Sequence, residues 1–298
     1  MSETRSSLLL VAALAATLAV NAATGDAAPA KAAAAPGKKA TAKAPVAGTP
    51  ASAAVLLPDL TVQQIIERHA AARGGLSTWK AVTAIEYKGK MGAGATTYEA
   101  VTPKLALERR QRDEAVLPFV LQLKRPAMQR LELTFNGQTA VQVFDGKHGY
   151  KYRPFLNRTD WEPYSDTELK SAAAQPGIDG WLLDSAAKGT RVELSGKEAV
   201  DGQPAYRLKV IRKDGQVRSV WVDGKSFLEV KEEGEPRRLD GRPHEVSVFL
   251  RDYRAEQGLV VPHTIETAVQ GVARTEKITI ESVSVNPRLD DARFTHPK

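Results

Sequence analysis

The stretch that decides the fold reads Asp201-Gly202-Gln203-Pro204-Ala205-Tyr206-Arg207-Leu208-Lys209-Val210-Ile211-Arg212-Lys213-Asp214-Gly215, then Gln216-Val217-Arg218-Ser219-Val220-Trp221-Val222-Asp223-Gly224. Tyr206, Leu208 and Val210 alternate with Arg207 and Lys209. An apolar side chain at every second position is the period of a strand with one face buried and one wet. The Asp-Gly pairs at 201, 214 and 223 supply the positive φ angles that tight hairpins require. The stretch therefore reads as antiparallel strands joined by short turns.

The same grammar extends in both directions. Leu131, Leu133 and Phe135 alternate with Glu132 and Thr134, Leu228 and Val230 flank Glu229, and Val246, Val248 and Leu250 alternate with Ser247 and Phe249. Asn136-Gly137, Asp145-Gly146 and Asp240-Gly241 fall between such runs. A first strand is expected near Val82 to Lys90. The chain reads as mainly β with an α+β admixture: one large antiparallel meander, strongly curved because each strand twists against its neighbour.

Three helical pieces are expected beside this sheet. Thr61-Val62-Gln63-Gln64 has the form of a capping box, and a helix carrying Ile65, Ile66 and His69 follows to Gly74-Gly75. His69 reads as a core-edge histidine. Ser165-Asp166-Thr167-Glu168 is a second capping box, with Leu169 to Ala174 helical and Pro176-Gly177 ending it. Ile178 to Ala187, which contains Trp181, Leu182 and Leu183, is expected to form the third.

The first 58 residues are of another kind. Arg5 precedes an apolar run from Leu8 to Val20, and Val20-Asn21-Ala22 fits a small-residue cleavage pattern. That run is shorter than the about 20 residues a membrane span needs, so residues 1–22 read as a cleavable export signal. Residues 23–58, rich in Ala, Pro, Gly, Thr and Lys, read as a disordered tether, and its lysines offer a weak contact with anionic lipid. The folded domain is then 59–298, and its expected location is the periplasm.

Charge and motifs exclude more than they assign. Of the net charge of +7, the segment before residue 59 holds +3, from Arg5, Lys31, Lys38, Lys39 and Lys43 against Glu3 and Asp26. The remainder is spread thinly, and no basic stripe interleaved with aromatics marks a nucleic-acid surface. Arg109, Arg110 and Arg112 are followed by Asp113 and Glu114 and read as a solvated turn. With no cysteine there is no disulfide framework, thiolate metal site or thiol nucleophile. The histidines at 69, 148, 244, 263 and 296 lack metal-ligand spacing, and no metallohydrolase, serine-hydrolase or complete P-loop motif occurs. No enzyme activity, cofactor or metal is expected.

Several pieces in order resemble one superfamily. They are Gly74-Gly75 with Trp79 and Val82, Phe144-Asp145-Gly146-Lys147-His148-Gly149-Tyr150, Leu194-Ser195-Gly196-Lys197-Glu198 with Asp201-Gly202, Asp252-Tyr253-Arg254 with Gly258-Leu259 and Pro262, and Leu289-Asp290-Asp291-Ala292-Arg293-Phe294 with Pro297. The set resembles the LolA/LolB-like superfamily of periplasmic, outer-membrane lipoprotein-sorting-like proteins. The resemblance implies an open half-barrel with a small helical lid and an apolar cavity between them. It implies a carrier or envelope sensor that holds a lipid or a lipoprotein acyl chain.

The expected ligand-binding positions are the apolar set read as the concave face: Leu131, Leu133, Phe135, Val141, Val143, Tyr206, Leu208, Val210, Trp221, Leu228, Val230, Val246, Val248 and Leu250, with Trp181 as the lid contact. Two other readings stay open. A filled interior would favour an envelope module that docks a protein partner. A polar cleft gathering Asp, Glu or His would favour an exported hydrolase.

Overall fold

The computed structural model describes residues 57–93, 115–239, 241–273 and 275–297. The expected signal, nearly all of the expected tether and the Arg109–Arg112 cluster lie outside the described residues.

The first helix, α1 (Val62–Ala72), begins at the anticipated box. Thr61 Oγ1 accepts from the Gln64 amide at 3.2 Å, and Gln64 Oε1 accepts from the Thr61 amide at 2.9 Å. Ile65 and His69, four residues apart on one face, are its buried side chains. Gly74 and Gly75 end it with φ of 100° and 92°. A five-residue helix α2 (Leu76–Lys80) follows and buries Trp79 completely.

Strands β1 (Ala84–Ala93), β2 (Ala115–Lys124), β3 (Met128–Phe135), β4 (Gln138–Phe144), β5 (Gly149–Arg153) and β6 (Arg158–Pro163) form one meander. After helix α3 (Asp166–Ala173), a second run comprises β7 (Arg191–Val200), β8 (Gln203–Ile211), β9 (Val217–Asp223) and β10 (Glu229–Glu233). A small ribbon, β11 (Arg237–Leu239) with β12 (Arg242–His244), leads to β13 (Val246–Glu256), β14 (Leu259–Val269) and β15 (Glu276–Val285). Thirteen strands share one antiparallel sheet in the order β6-β5-β4-β3-β2-β1-β15-β14-β13-β10-β9-β8-β7. The two runs are joined where β1 pairs with β15, with Ile85 opposite Val285. The sheet is curved and open, a half-barrel with edges β6 and β7.

That order dictates what covers the concave face. The chain leaves one edge at β6 and must re-enter at the opposite edge, β7. The connection, residues 164–190, carries α3 and a run of turns. The expected third helix over Ile178 to Ala187 is not there: turns occupy residues 178–189. The reason is local. Gly180 (φ 71°) and Asp184 (φ 53°) both adopt the left-handed conformation inside the segment, and each interrupts a right-handed helix. The segment still buries Ile178, Trp181, Leu182 and Leu183.

The inner face carries two large apolar clusters and a smaller one around Val246, Val248 and Val269. Trp79, Val82, Leu183 and Ile178 pack with Ile85, Leu121, Leu131 and Ile280 on one half. Ile65, Trp181 and Leu182 pack with Tyr206, Leu208, Val220 and Val222 on the other. The outer face is also partly covered. Phe294, in the C-terminal 3-10 turn Asp291–Phe294, is fully buried, Arg130 Nη1 donates to the Arg293 carbonyl at 2.9 Å, and His296 stacks edge-on with Tyr150 at 4.2 Å.

Candidate functional site

Between the sheet and the crossing turns lies a cavity of about 120 Å³. Tyr87, Leu121, Leu123, Leu250, Ile265 and Ile280 form its sheet wall, and Pro176, Gly177, Ile178, Gly180 and Trp181 form its cover. Leu121 and Tyr87 are register partners across β1 and β2, as Leu250 and Ile265 are across β13 and β14, so each pair presents one continuous apolar face.

The cover is held by ionic contacts. Arg125 donates through Nη1 and Nη2 to both oxygens of Asp179, at 2.9 and 2.5 Å, and through Nε and Nη2 to the carbonyls of Val82 and Trp79. Lys188 Nζ lies 3.4 Å from Asp179. Burial raises the Asp179 pKa, but the Arg125 hydrogen bonds and the Lys188 charge outweigh it and hold the carboxyl below its usual range.

The remaining wall is charged and buried. Arg73, Glu229, Glu232 and Tyr253 line the cavity, and Arg73, Glu229 and Glu232 are 6%, 3% and 4% exposed. Arg73 is placed by the end of α1. Its Nε donates to the Val260 carbonyl at 2.7 Å, its Nη1 to Glu229 Oε2 at 3.4 Å, and its guanidinium lies 4.5 Å over the Trp79 ring. Trp79 Nε1 donates back to the Arg73 carbonyl. Tyr253 donates its hydroxyl to the Glu229 carbonyl at 2.8 Å, and burial pushes its pKa well up.

Glu232 faces inward beside its register partners Val248 and Val220 and accepts from Trp181 Nε1 at 2.8 Å. Burial, then the nearby Glu229 charge, pushes its pKa up to about 8. Behind Glu229 sits His69, fully buried. Its Nδ1 is 2.9 Å from the Phe227 carbonyl, and its Nε2 is 3.8 Å from Glu229 Oε1. Burial holds this imidazole below its ordinary pKa.

The fifteen apolar positions expected to bind ligand divide by register. Trp181 and Leu250 line the cavity. Leu131, Leu133, Tyr206, Leu208, Val210, Val246 and Val248 are buried on the inner face away from it, and Phe135 ends β3 at 37% exposure. Val141, Val143 and Trp221 lie on the opposite face, which corrects their expected placement. Val141 pairs with Glu132 and Val143 with Arg130, whereas Leu131 and Leu133 pair with Gln142 and Ala140. Strand β4 is buried on both sides, so apolarity could not mark its inner side. Trp221 packs outward with Val200 and Ala205, between the cations of Arg207 and Lys231. Val230 packs against that outer cluster, and Leu228 stands in the turn before β10.

The charged wall was missed for a related reason. A bulge shifts the β9–β10 register between Glu229 and Lys231, and a bulge inverts the alternation on one side of itself. Both glutamates therefore point inward. Period-two counting assigned that side to Leu228 and Val230. A strand carrying four charges with the pattern Glu229-Val230-Lys231-Glu232-Glu233 was the one available signal.

No protein-family model matches the sequence, and no curated protein matches it. Solved structures of similar fold do. A LolA superfamily protein from Nitrosomonas europaea aligns with a TM-score of 0.52 at 14% identity, covering 80% of this chain and 99% of its own. A DUF1329 family protein from Desulfovibrio piger aligns with a TM-score of 0.50 at 14% identity, covering 79% of this chain and 98% of its own. The half-barrel, its order of strands and its crossing cover give this chain a LolA-like fold.

Proposed function

We propose that this protein is an exported, periplasmic binding protein that holds an apolar ligand in the half-barrel, as a carrier or an envelope sensor rather than an enzyme. The observation that carries the reading is the cavity between Leu121, Leu250 and Ile280 on the sheet and Ile178 and Trp181 on the cover. The signal-like residues 1–22 support export, and the fold is that of the LolA superfamily protein aligned above.

Size constrains the mechanism. A dry cavity of about 150 Å³ accommodates a molecule such as benzene, so 120 Å³ takes a ring or a few methylenes. A long acyl chain requires the cover to lift, and the glycines at 177, 180 and 189, all at positive φ, are the places for it to bend. Each buried methylene returns roughly 0.8 kcal/mol. One oxygen of each carboxyl beside the cavity is engaged, Glu229 Oε2 by Arg73 and Glu232 Oε2 by Trp181. Among the described residues, no Ser, Thr or Lys lines the cavity with them. This favours binding over hydrolysis.

One observation favours the alternative of an envelope module that docks a protein partner: Trp79, Leu182 and Leu183 already pack, buried, into the inner face. Native mass spectrometry of the full exported protein from the periplasm, followed by lipid extraction, separates the two. A co-purifying acyl species that is lost in Leu250→Glu, with the fold retained by circular dichroism, supports the cavity. A ligand-free protein that also ignores a fluorescent fatty acid and a fluorescent fatty alcohol sinks the carrier reading and leaves the docking module.

A further inference from the structure

Two buried atoms beside the cavity face each other as acceptors. The Phe227 carbonyl can only accept, so His69 Nδ1, 2.9 Å away, carries a proton. In a neutral ring Nε2 then holds a lone pair. It looks at Glu229 Oε1 across 3.8 Å, and neither atom has a hydrogen-bond partner among the described residues. Both side chains are more than nine-tenths buried, and Glu229 lines the cavity. Two acceptors left facing in a low-dielectric site call for a donor between or beside them. Burial, which disfavours the imidazolium, keeps the ring from supplying that donor itself.

The cation already present does not answer the need. Arg73 reaches the other oxygen, Glu229 Oε2, while its Nε is taken by Val260 and its face by Trp79. Glu232, whose pKa burial pushes up to about 8, adds a carboxyl that keeps its proton at pH 7 and accepts from Trp181 through Oε2. The open acceptors of the wall are thus those of Glu229 and His69, and the Nε and Nη1 of its one guanidinium are engaged.

We infer that the cavity selects an amphiphile whose head group donates hydrogen bonds, a hydroxyl or an ammonium set against Glu229, with its alkyl chain leading out along Leu121 and Leu250. A carboxylate head set against Glu229 finds an acceptor where it needs a donor and is discriminated against. This rests on the apolar-ligand reading and adds the head-group chemistry to it.

The test compares 1-octanol, octylamine and octanoate as competitors for an apolar fluorescent probe, N-phenyl-1-naphthylamine, on the full exported protein at pH 7. The expected result is displacement by the alcohol and the amine at concentrations about tenfold below that of octanoate, the scale of a hydrogen bond to a charged group. Glu229→Gln, checked for folding by circular dichroism, should bring the three within about threefold of one another. Equal displacement by all three in the wild type, or a preference for octanoate, overturns the head-group inference and leaves the apolar reading standing. So does a preference that survives Glu229→Gln. Failure of all three to displace the probe overturns both. If Glu229→Gln does not fold, the wild-type series alone decides.

Discussion

Gly74 links the end of α1 to the site. It sits at φ 100°, and a Cβ there would come within 2.2 Å of the Gly258 carbonyl oxygen, in the β13–β14 turn. That contact positions Arg73, whose own carbonyl accepts from the Val260 amide at 3.0 Å. Gly74→Ala is expected to cost about 2 kcal/mol or more, from the left-handed backbone and the clash together. A thermal scan should show Tm falling by several degrees, and an unchanged Tm would mean the approach is looser than described. Glu232 gives a second prediction at this scale. Its folded pKa, about 8, lies above the ordinary glutamate value of 4.5. Between those values the native state keeps a proton that the unfolded chain has released, so this group's contribution to stability falls as pH rises through that window. Glu232→Gln keeps an acceptor for Trp181 and loses the titration. The stability difference between variant and wild type should therefore grow in favour of the variant from pH 5 to pH 8, read by urea unfolding. A difference that is flat with pH would show that Glu232 ionises in the folded protein as it does in water.

At the scale of elements, the cover over residues 176–189 is a turn array and not a helix, and its order depends on few contacts. The Ser185, Lys188, Gly189 and Thr190 amides donate within the segment, while Asp179 ties it to Arg125 and Lys188. Asp179→Asn should weaken that tie by about 1–3 kcal/mol and raise hydrogen exchange across 182–190 more than in β1 or β15. Uniform exchange across the sheet and the cover would place the anchoring elsewhere. The elements also show what the sequence made legible. Both capping boxes formed, and Asn136-Gly137 and Asp201-Gly202 sit at positive φ in the β3–β4 and β7–β8 turns, because these are local interactions between residues close in the chain. The Ile178 to Ala187 helix failed because Asp184 adopts a left-handed conformation that its side chain tolerates but does not announce. The inward turn of Glu229 and Glu232 depended on a bulge set by pairing with β9, a partner whose register period-two counting does not contain. The cavity wall at Leu121, Ile265 and Ile280 comes from strands far apart in sequence that only the β1–β15 closure brings together.

For the molecule as a whole, the inner core is not one apolar body. Its two larger clusters, one around Trp79 and the other around Ile65 and Leu208, lie on either side of His69, Arg73, Glu229 and Glu232. A buried ion pair is an expensive way to join two halves of a core, since desolvation offsets much of the attraction and apolar replacements of similar volume are often as stable or more so. Breaking the pair from one side is different, because it strands a charge. Glu229→Leu is therefore expected to lose about 3–5 kcal/mol, with Arg73 left facing an apolar cavity wall. Adding Arg73→Met should recover a large part of that loss, giving strong positive coupling in a double-mutant cycle followed by urea unfolding. The recovery will be incomplete, because Arg73 also serves the Val260 carbonyl and the Trp79 ring. Additive losses would mean that the two side chains act separately and that the polar seam is incidental to the join. Coupling, together with loss of the octanol and octylamine preference in the double variant, would mean that the fold carries a charged seam at a cost in stability because the ligand's head group is read there.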